Sequence, residues 1–242
     1  MTAERVALVT GGASGIGRAI CARLREDGLQ VAAVDLKPDA AAEVAMFARG
    51  CDVTDESDVD SAVAAVLDRF GAIDVLVNNA GITGSQAATT CHETPVEEWD
   101  RVHTVNVRGP FLASRAVLPS MVARGSGHVI NIASIAGLVA FPGRCAYTAS
   151  KGAALMLAKS IAVDYAAAGI RANAVCPGMV YTPMTSWRLD QPALRTQVED
   201  RIPVGRVATP DEIADAVSVL ASGRMSYVTG HALVIDGGMT AL

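Results

Sequence analysis

An apolar stretch, Val6-Ala7-Leu8-Val9, runs straight into Thr10-Gly11-Gly12-Ala13-Ser14-Gly15-Ile16-Gly17. Four apolar residues in a row, with no polar alternation, fit a strand covered on both faces, as in a parallel sheet. Closely spaced glycines after such a strand open a helix and let backbone N–H groups approach a pyrophosphate, whose charge the positive end of the helix stabilises. Gly11 suits the tight turn, Gly15 a close approach of backbone to phosphate, and Gly17 close packing of helix on sheet. The spacing is GxxxGxG rather than GxGxxG, so alone the run also fits a plain glycine-rich turn.

The remainder of the chain repeats the same unit. Strand-length apolar runs near residues 6–9, 31–35, 48–52, 75–78, 128–132, 171–175 and 233–235 alternate with segments of helical period. That alternation predicts an α/β fold: a Rossmann-like, doubly wound sheet of about seven parallel strands with helices on both faces. A length of 242 residues, 51% of them hydrophobic and 19% charged, suits one domain over 1–242 and excludes disorder. No apolar run approaches the roughly 20 residues that cross a bilayer, and the first strand begins too early to leave room for a leader. The five cysteines (Cys21, Cys51, Cys91, Cys145, Cys176) form no CxxC pair and the four histidines lie far apart. A soluble, cytoplasmic protein without disulfides or a metal site is expected. A net charge of −5 with no basic block argues against nucleic acid as a partner.

Two helix starts carry local signals, Thr94-Pro95-Val96-Glu97 and Thr209-Pro210-Asp211-Glu212, each with a hydroxyl cap, a proline in the first turn and a glutamate reaching back. Ala40–Ala42 and Ala166–Ala168 read as helix and helix end. Residues 179–208, broken by Pro183, Pro192 and Pro203, are too long for a tight connection. Ligands of open α/β sheets bind beyond the carboxyl ends of the strands, where this insertion starts, so it is expected to be a substrate lid. A surface excursion packed on a neighbouring subunit is the other reading.

Asp35 closes the second strand 18 residues beyond Gly17, where an acidic side chain meets the adenosine ribose of a dinucleotide. A 2′-phosphate there would stand against the carboxylate, at a cost approaching ~4 kcal/mol for about 4 Å and an effective dielectric near 20. NAD is therefore expected over NADP; Lys37 softens the contrast, but Ser14 is no base. A helix cap or turn is the plainer role for Asp35. Asp52 and Val53 follow the third strand, where an adenine edge would lie, and Asn79-Ala80-Gly81 follow the fourth, near the ribose.

Tyr147 and Lys151 are four apart, which on a helix puts them on one face. A phenol working as a base near neutrality needs its pKa lowered by about 2 to 3 units from ~10, and a neighbouring ammonium supplies that direction. Ser134 ends the fifth apolar run 13 residues before Tyr147, at the edge where such a sheet receives substrate.

With TGGASGIG, NNAG, the Ser134 strand end, YTASK and PGMVYT in this order, the chain resembles the short-chain dehydrogenase/reductase family over essentially its whole length. The resemblance implies an NAD-dependent oxidoreductase that interconverts a secondary alcohol and a ketone, with Tyr147 as general acid/base and Ser134 hydrogen-bonding the reacting oxygen. It implies that Lys151 binds the nicotinamide ribose and depresses the tyrosine pKa, and that Asn106 holds a water linking the lysine to solvent. A buried asparagine bracing a helix is the alternative there. Gly11, Ser14, Gly15, Ile16 and Gly17 would hold the pyrophosphate, and Pro177, Gly178, Val180 and Thr182 the carboxamide end of the ring. A homotetramer is implied too, paired through the long helices after Pro95 and Tyr147 and the C-terminal strand.

The substrate is less constrained. FPGRCAY and MTSWRLDQPALR resemble segments of family members in which matching arginines bind a substrate sulfonate, so Arg144 and Arg188, with Trp187 and Met184, are candidates for holding a small anionic hydroxy or keto compound. Solvated surface arginines, with Arg188 paired to Asp190, are the plainer reading. A 3-oxoacyl-carrier-protein reductase and a non-catalytic dinucleotide-binding protein are the competing functions.

Overall fold

The computed structural model describes residues 4–85, 87 and 89–241. Seven strands form one parallel sheet: β1 (Val6–Thr10), β2 (Gln30–Asp35), β3 (Phe47–Gly50), β4 (Val75–Asn78), β5 (Gly127–Ile132), β6 (Ile170–Pro177) and β7 (Ala232–Ile235), in the spatial order β3-β2-β1-β4-β5-β6-β7. The order reverses between β1 and β4, which opens a crevice at the carboxyl ends of those strands. All five residues of β1 are buried. Val6 and Leu8 face one apolar layer with Val63, Val117 and Ile161, while Ala7 and Val9 face a second with Ile20, Leu24 and Ile213. Period-two alternation thus serves two cores at once, which is why the strand shows no polar positions.

Helices α1 (Gly15–Glu26) and α8 (Pro210–Ala221) cover one face, and α2 (Glu56–Phe70), α4 (Gly109–Arg124) and α5 (Cys145–Tyr165) the other. Thr209 and Glu212 form the expected capping box, the Glu212 carboxylate accepting from Thr209 N at 2.9 Å. At the other predicted start the box lies one turn earlier, on Thr90 and Glu93, and α3 (Val96–His103) begins at Pro95 with no side-chain cap. Thr94 is instead committed to Thr89 and to the Thr90 carbonyl. β3 stops at Gly50 rather than Asp52, because the Asp52 carboxylate accepts from the Thr54 N–H and hydroxyl and turns the chain toward α2. The alanine runs form single 3-10 turns, Pro38–Ala41 and Ala166–Ala168.

The long insertion after β6 is folded. Helices α6 (Ser186–Leu189) and α7 (Pro192–Glu199) enclose a small apolar cluster of Leu189, Val198, Ile202 and Val207, with Met179 and Met239 against it. Pro192 sits in the first turn of α7, where its missing N–H costs nothing. The chain returns through Tyr181 N to Ala208 O and Ala208 N to Met179 O, 2.9 Å each. Among the described residues, no helix is long and apolar enough to cross a membrane.

Candidate active site

At the end of β1 the chain turns through Gly11 (φ +67°) and Gly15 (φ +50°), both left-handed. At Gly17 a Cβ would lie 2.0 Å from the Gly11 carbonyl oxygen, so only glycine lets α1 leave the turn this closely. Asn79, at the end of β4, ties the turn down: its side-chain amide donates to Thr10 O (3.1 Å) and Gly11 O (3.0 Å), while Thr10 Oγ1 accepts from Asn79 N and Ala80 N. Ser14 sits at the N-cap of α1 without a side-chain cap bond, and the first turn carries no acidic residue. This helix end therefore presents backbone donors to a phosphate rather than to its own side chains. Thr182 and Pro183, at the start of the insertion, lie over Gly15, 3.4 and 3.6 Å from where its Cβ would be.

Asp35 stands beside the turn, accepting from Ala13 N and Lys37 N at 3.1 Å each. It does brace the loop, yet each oxygen keeps a second lone pair. Asp52 is spent on its own turn, and Val53 packs beneath Gly109. The glycine cradle, the uncapped helix end and the carboxylate beside them have the chemistry to hold a dinucleotide.

The reacting centre lies across the crevice. Ser134, just beyond β5, accepts from Ala136 N at 3.0 Å, faces Pro177 O at 3.5 Å and hydrogen-bonds the Tyr147 side chain. Tyr147 occupies the first turn of α5. Lys151, one turn on, is buried and donates from Nζ to Ile132 O at 2.8 Å, with its ammonium 5.7 Å from the Tyr147 ring centre. The pair shares a face, as the spacing predicts.

The electrostatics differ from the sequence expectation. Burial pushes the Tyr147 phenol up and the Ser134 hydrogen bond opposes it, while burial brings Lys151 down to about 8. Desolvation acts on both charged forms, so the phenol and the ammonium are each driven toward neutrality.

Asn106 lies in a short π-helical turn, Thr104–Arg108, between α3 and α4. Its side chain pairs with the Ile82 backbone in both directions, 2.8 Å each, and donates to Ser150 Oγ at 3.0 Å; Ser150 in turn donates to Tyr147 O at 2.7 Å. The side chain thus braces the catalytic helix. A Cβ on Gly81 would stand 3.2 Å from Asn106 Oδ1 and 3.4 Å from Lys151 Nζ, so Gly81 leaves room where these two groups converge. Ser150 was not singled out by sequence reasoning, although it sits inside YTASK; nothing in the motif shows where its hydroxyl points.

Pro177, Gly178, Val180 and Thr182 carry the chain from β6 toward the glycine turn. Gly178 N bonds Ile235 O at 2.9 Å and a Cβ there would meet Asp236 at 2.8 Å, while Val180 is buried. Arg144, the N-cap of α5, donates to the Ser85 carbonyl in the loop after β4. Arg188 lies on α6 in the insertion, near Trp187, with Met184 exposed at its entrance. The Arg188–Asp190 pairing does not form: Asp190 accepts from the Tyr181 hydroxyl at 2.8 Å, and among the described residues Arg188 has no ion pair. Among the described residues no group of three or more His, Cys, Asp or Glu could hold a metal ion.

A family model described as enoyl-(acyl carrier protein) reductase matches residues 11–240. The chain is 56% identical over 249 aligned positions to 2-(R)-hydroxypropyl-CoM dehydrogenase of Xanthobacter autotrophicus, spanning 99% of this chain and 100% of that one. It is 39% identical to 2-(S)-hydroxypropyl-CoM dehydrogenase 3 of the same organism, over 99% and 98% of the two chains. The crystal structure of a 3-ketoacyl-(acyl-carrier-protein) reductase from Brucella melitensis complexed with NADH superposes with a TM-score of 0.91 at 35% identity, covering 98% of each. The family model over residues 11–240 and the relatives of 35–56% identity over nearly the whole chain make this protein a member of the short-chain dehydrogenase/reductase family, oxidoreductases that use a nicotinamide dinucleotide to interconvert secondary alcohols and ketones.

Proposed function

We propose that the chain, acting as one dinucleotide-binding and catalytic domain, uses NAD to interconvert a small secondary alcohol bearing a terminal anion and its ketone. The observation that carries the reaction is the cluster of buried Ser134 and Lys151 with half-buried Tyr147 opposite the glycine turn. A bound nicotinamide supplies the hydride acceptor or donor. Ser134 holds the substrate oxygen by hydrogen bond, and Tyr147 takes the hydroxyl proton in oxidation and returns it to the carbonyl in reduction. Lys151 binds the ribose and orients the tyrosine, Asn106 positions the turn beneath them, and the insertion closes over the substrate to exclude water.

Arg188, on the insertion that follows β6, supports the anionic substrate. It has no ion-pair partner among the described residues, so its guanidinium offers a forked donor to a sulfonate or carboxylate, while Arg144 at the start of α5 already donates to the Ser85 carbonyl. The 2-(R)-hydroxypropyl-CoM dehydrogenase similarity points the same way. Asp35 favours NAD over NADP by charge. Five free cysteines accord with a reducing, cytoplasmic setting. Exposed Trp99, Phe111, Met156 and Val163 on α3, α4 and α5 accord with a homotetramer, expected to run at four times the 24.9 kDa chain mass.

The deciding experiment measures NAD reduction with 2-(R)-hydroxypropyl-CoM, its S enantiomer and uncharged 2-propanol, in the wild type and in Arg188→Ala. The anionic R alcohol is expected to be the best substrate, and the variant to raise its KM at least tenfold while leaving 2-propanol unchanged. Equal losses on both alcohols would remove the anion reading. Turnover confined to acyl thioesters with NADP would favour the carrier-protein reductase instead.

A further inference from the structure

A second cleft opens at the opposite edge of the sheet, where the strands begin. It has a volume of about 450 Å³ and is lined by Arg5, Asp74, His128, Arg171 and Arg224, with Gly127, Gly169 and Gly223 among its small residues. The sheet register explains the grouping. Arg5 immediately precedes β1, Asp74 precedes β4, and His128 on β5 lies opposite Arg171 on β6. Asp74 N bonds Val6 O and His128 N bonds Asp74 O, so the amino ends of four neighbouring strands deliver these residues to one place.

The charges do not cancel. Asp74 is committed, accepting from Val6 N at 2.8 Å and from the Arg124 guanidinium at 3.3 Å. Among the described residues neither Arg5, Arg171 nor Arg224 has a carboxylate partner. Arg5 donates to Ala221 O at 2.6 Å, and Arg171 to Met225 O and Val228 O at 3.1 and 3.3 Å, always through Nη1. Those carbonyls hold the guanidinium planes in place and leave their other N–H groups available. Burial and the nearby Arg5 charge bring the Arg171 guanidinium below its ordinary value, as expected for two like charges with no anion between them. His128 stays neutral, its Nε2 accepting from Asn173 at 2.9 Å, so it neither adds to nor relieves the positive charge. Nothing in the fold requires three unpaired arginines here, since backbone carbonyls alone would be met by neutral donors.

We propose that this cleft is a second anion-binding site, taking a small phosphorylated compound through its phosphate group. Preoriented guanidinium forks match tetrahedral oxyanions, and the volume admits more than the phosphate alone. The site is remote from the chemistry, at the far end of the same strands.

Inorganic pyrophosphate, titrated calorimetrically into the full chain at constant ionic strength and with saturating NAD to block the glycine turn, tests the proposal. One saturable site is expected. Arg171→Gln should weaken it about tenfold or more, and Arg224→Glu, on an exposed loop, should weaken it as well, whereas Arg188→Ala should leave it intact. Absence of saturable binding overturns the proposal, as does binding unchanged in Arg224→Glu, a variant that decides the matter even if Arg171→Gln fails to fold. Binding lost in Arg188→Ala and kept in Arg224→Glu would place the anion at the substrate pocket and overturn it equally.

Discussion

At the residue scale, the reaction reduces to what can hold a proton near Tyr147. Tyr147→Phe removes the exchanging hydroxyl and leaves the ring packed, so kcat should fall by about 10²–10⁴-fold while NAD affinity changes little; steady-state rates and a dinucleotide titration check both. Lys151 offers a separate test through stability. Its folded pKa, about 8, lies below the ordinary lysine value of 10.5, so the unfolded chain holds the extra proton between these values. The wild type should therefore gain stability from this group as pH rises from about 8 to 10.5, by on the order of 3 kcal/mol, with the penalty fully present below 8. Cys21 and Cys51, pushed up to about 12 and about 11, act oppositely above pH 9. The difference between wild type and Lys151→Met isolates the lysine: the variant should have the higher urea midpoint at pH 7.5, and that lead should shrink at pH 10. The helical spacing made the Tyr147–Lys151 face legible beforehand. The direction of the phenol's shift was not, because desolvation depends on everything packed around the pair, which spacing does not contain. The same limit hid the Ser150 link and left the partner of Arg188 undecided, since Asp190 is close in sequence but bonds Tyr181.

At the scale of elements, the glycine turn and the insertion make contrasting predictions. Gly17→Ala puts a methyl group 2.0 Å from a backbone oxygen that cannot retreat, and should destabilise the chain by several kcal/mol, roughly the cost of severe overpacking. Gly50→Ala meets nothing within 4 Å and should be neutral, which thermal melts of the two variants will show. In the insertion, Leu189→Ala hollows a cluster of four buried residues set apart from the two main cores. The proposed lid role of this insertion predicts that the variant raises KM for the alcohol several-fold and leaves NAD binding and the main unfolding transition nearly unchanged. Caps show how far local signals reach. Thr209 and Glu212 close the expected box, but Thr94, with an equally suitable neighbourhood, is drawn to Thr90 and Thr89 by an upstream 3-10 turn. Two adjoining sequences compete for one hydroxyl, and only the folded chain reveals which prevails.

At the scale of the whole molecule, binding should couple to stability. A dinucleotide bound at the proposed site on the glycine turn would engage only the folded chain, so at concentrations 100 times its Kd it should add about 2.7 kcal/mol. NADP should raise the melting temperature less, and Asp35→Ser should narrow or reverse that preference by removing the opposing charge; melts with each dinucleotide measure it. The apolar alternation determined seven parallel strands and the two-sided burial of β1, because a parallel sheet covered by helices admits few polar positions along its strands. It also determined which residues stand at the carboxyl edge, since each chemical motif directly follows or faces a strand end. Tertiary structure alone decided the directions in which Tyr147 and Lys151 are shifted, the commitments of Asn106 and Arg144, and the gathering of Arg5, Arg171 and Arg224 at the amino edge. Those outcomes depend on desolvation and on contacts between residues as far as 216 positions apart, and such distances leave no periodic trace along the chain.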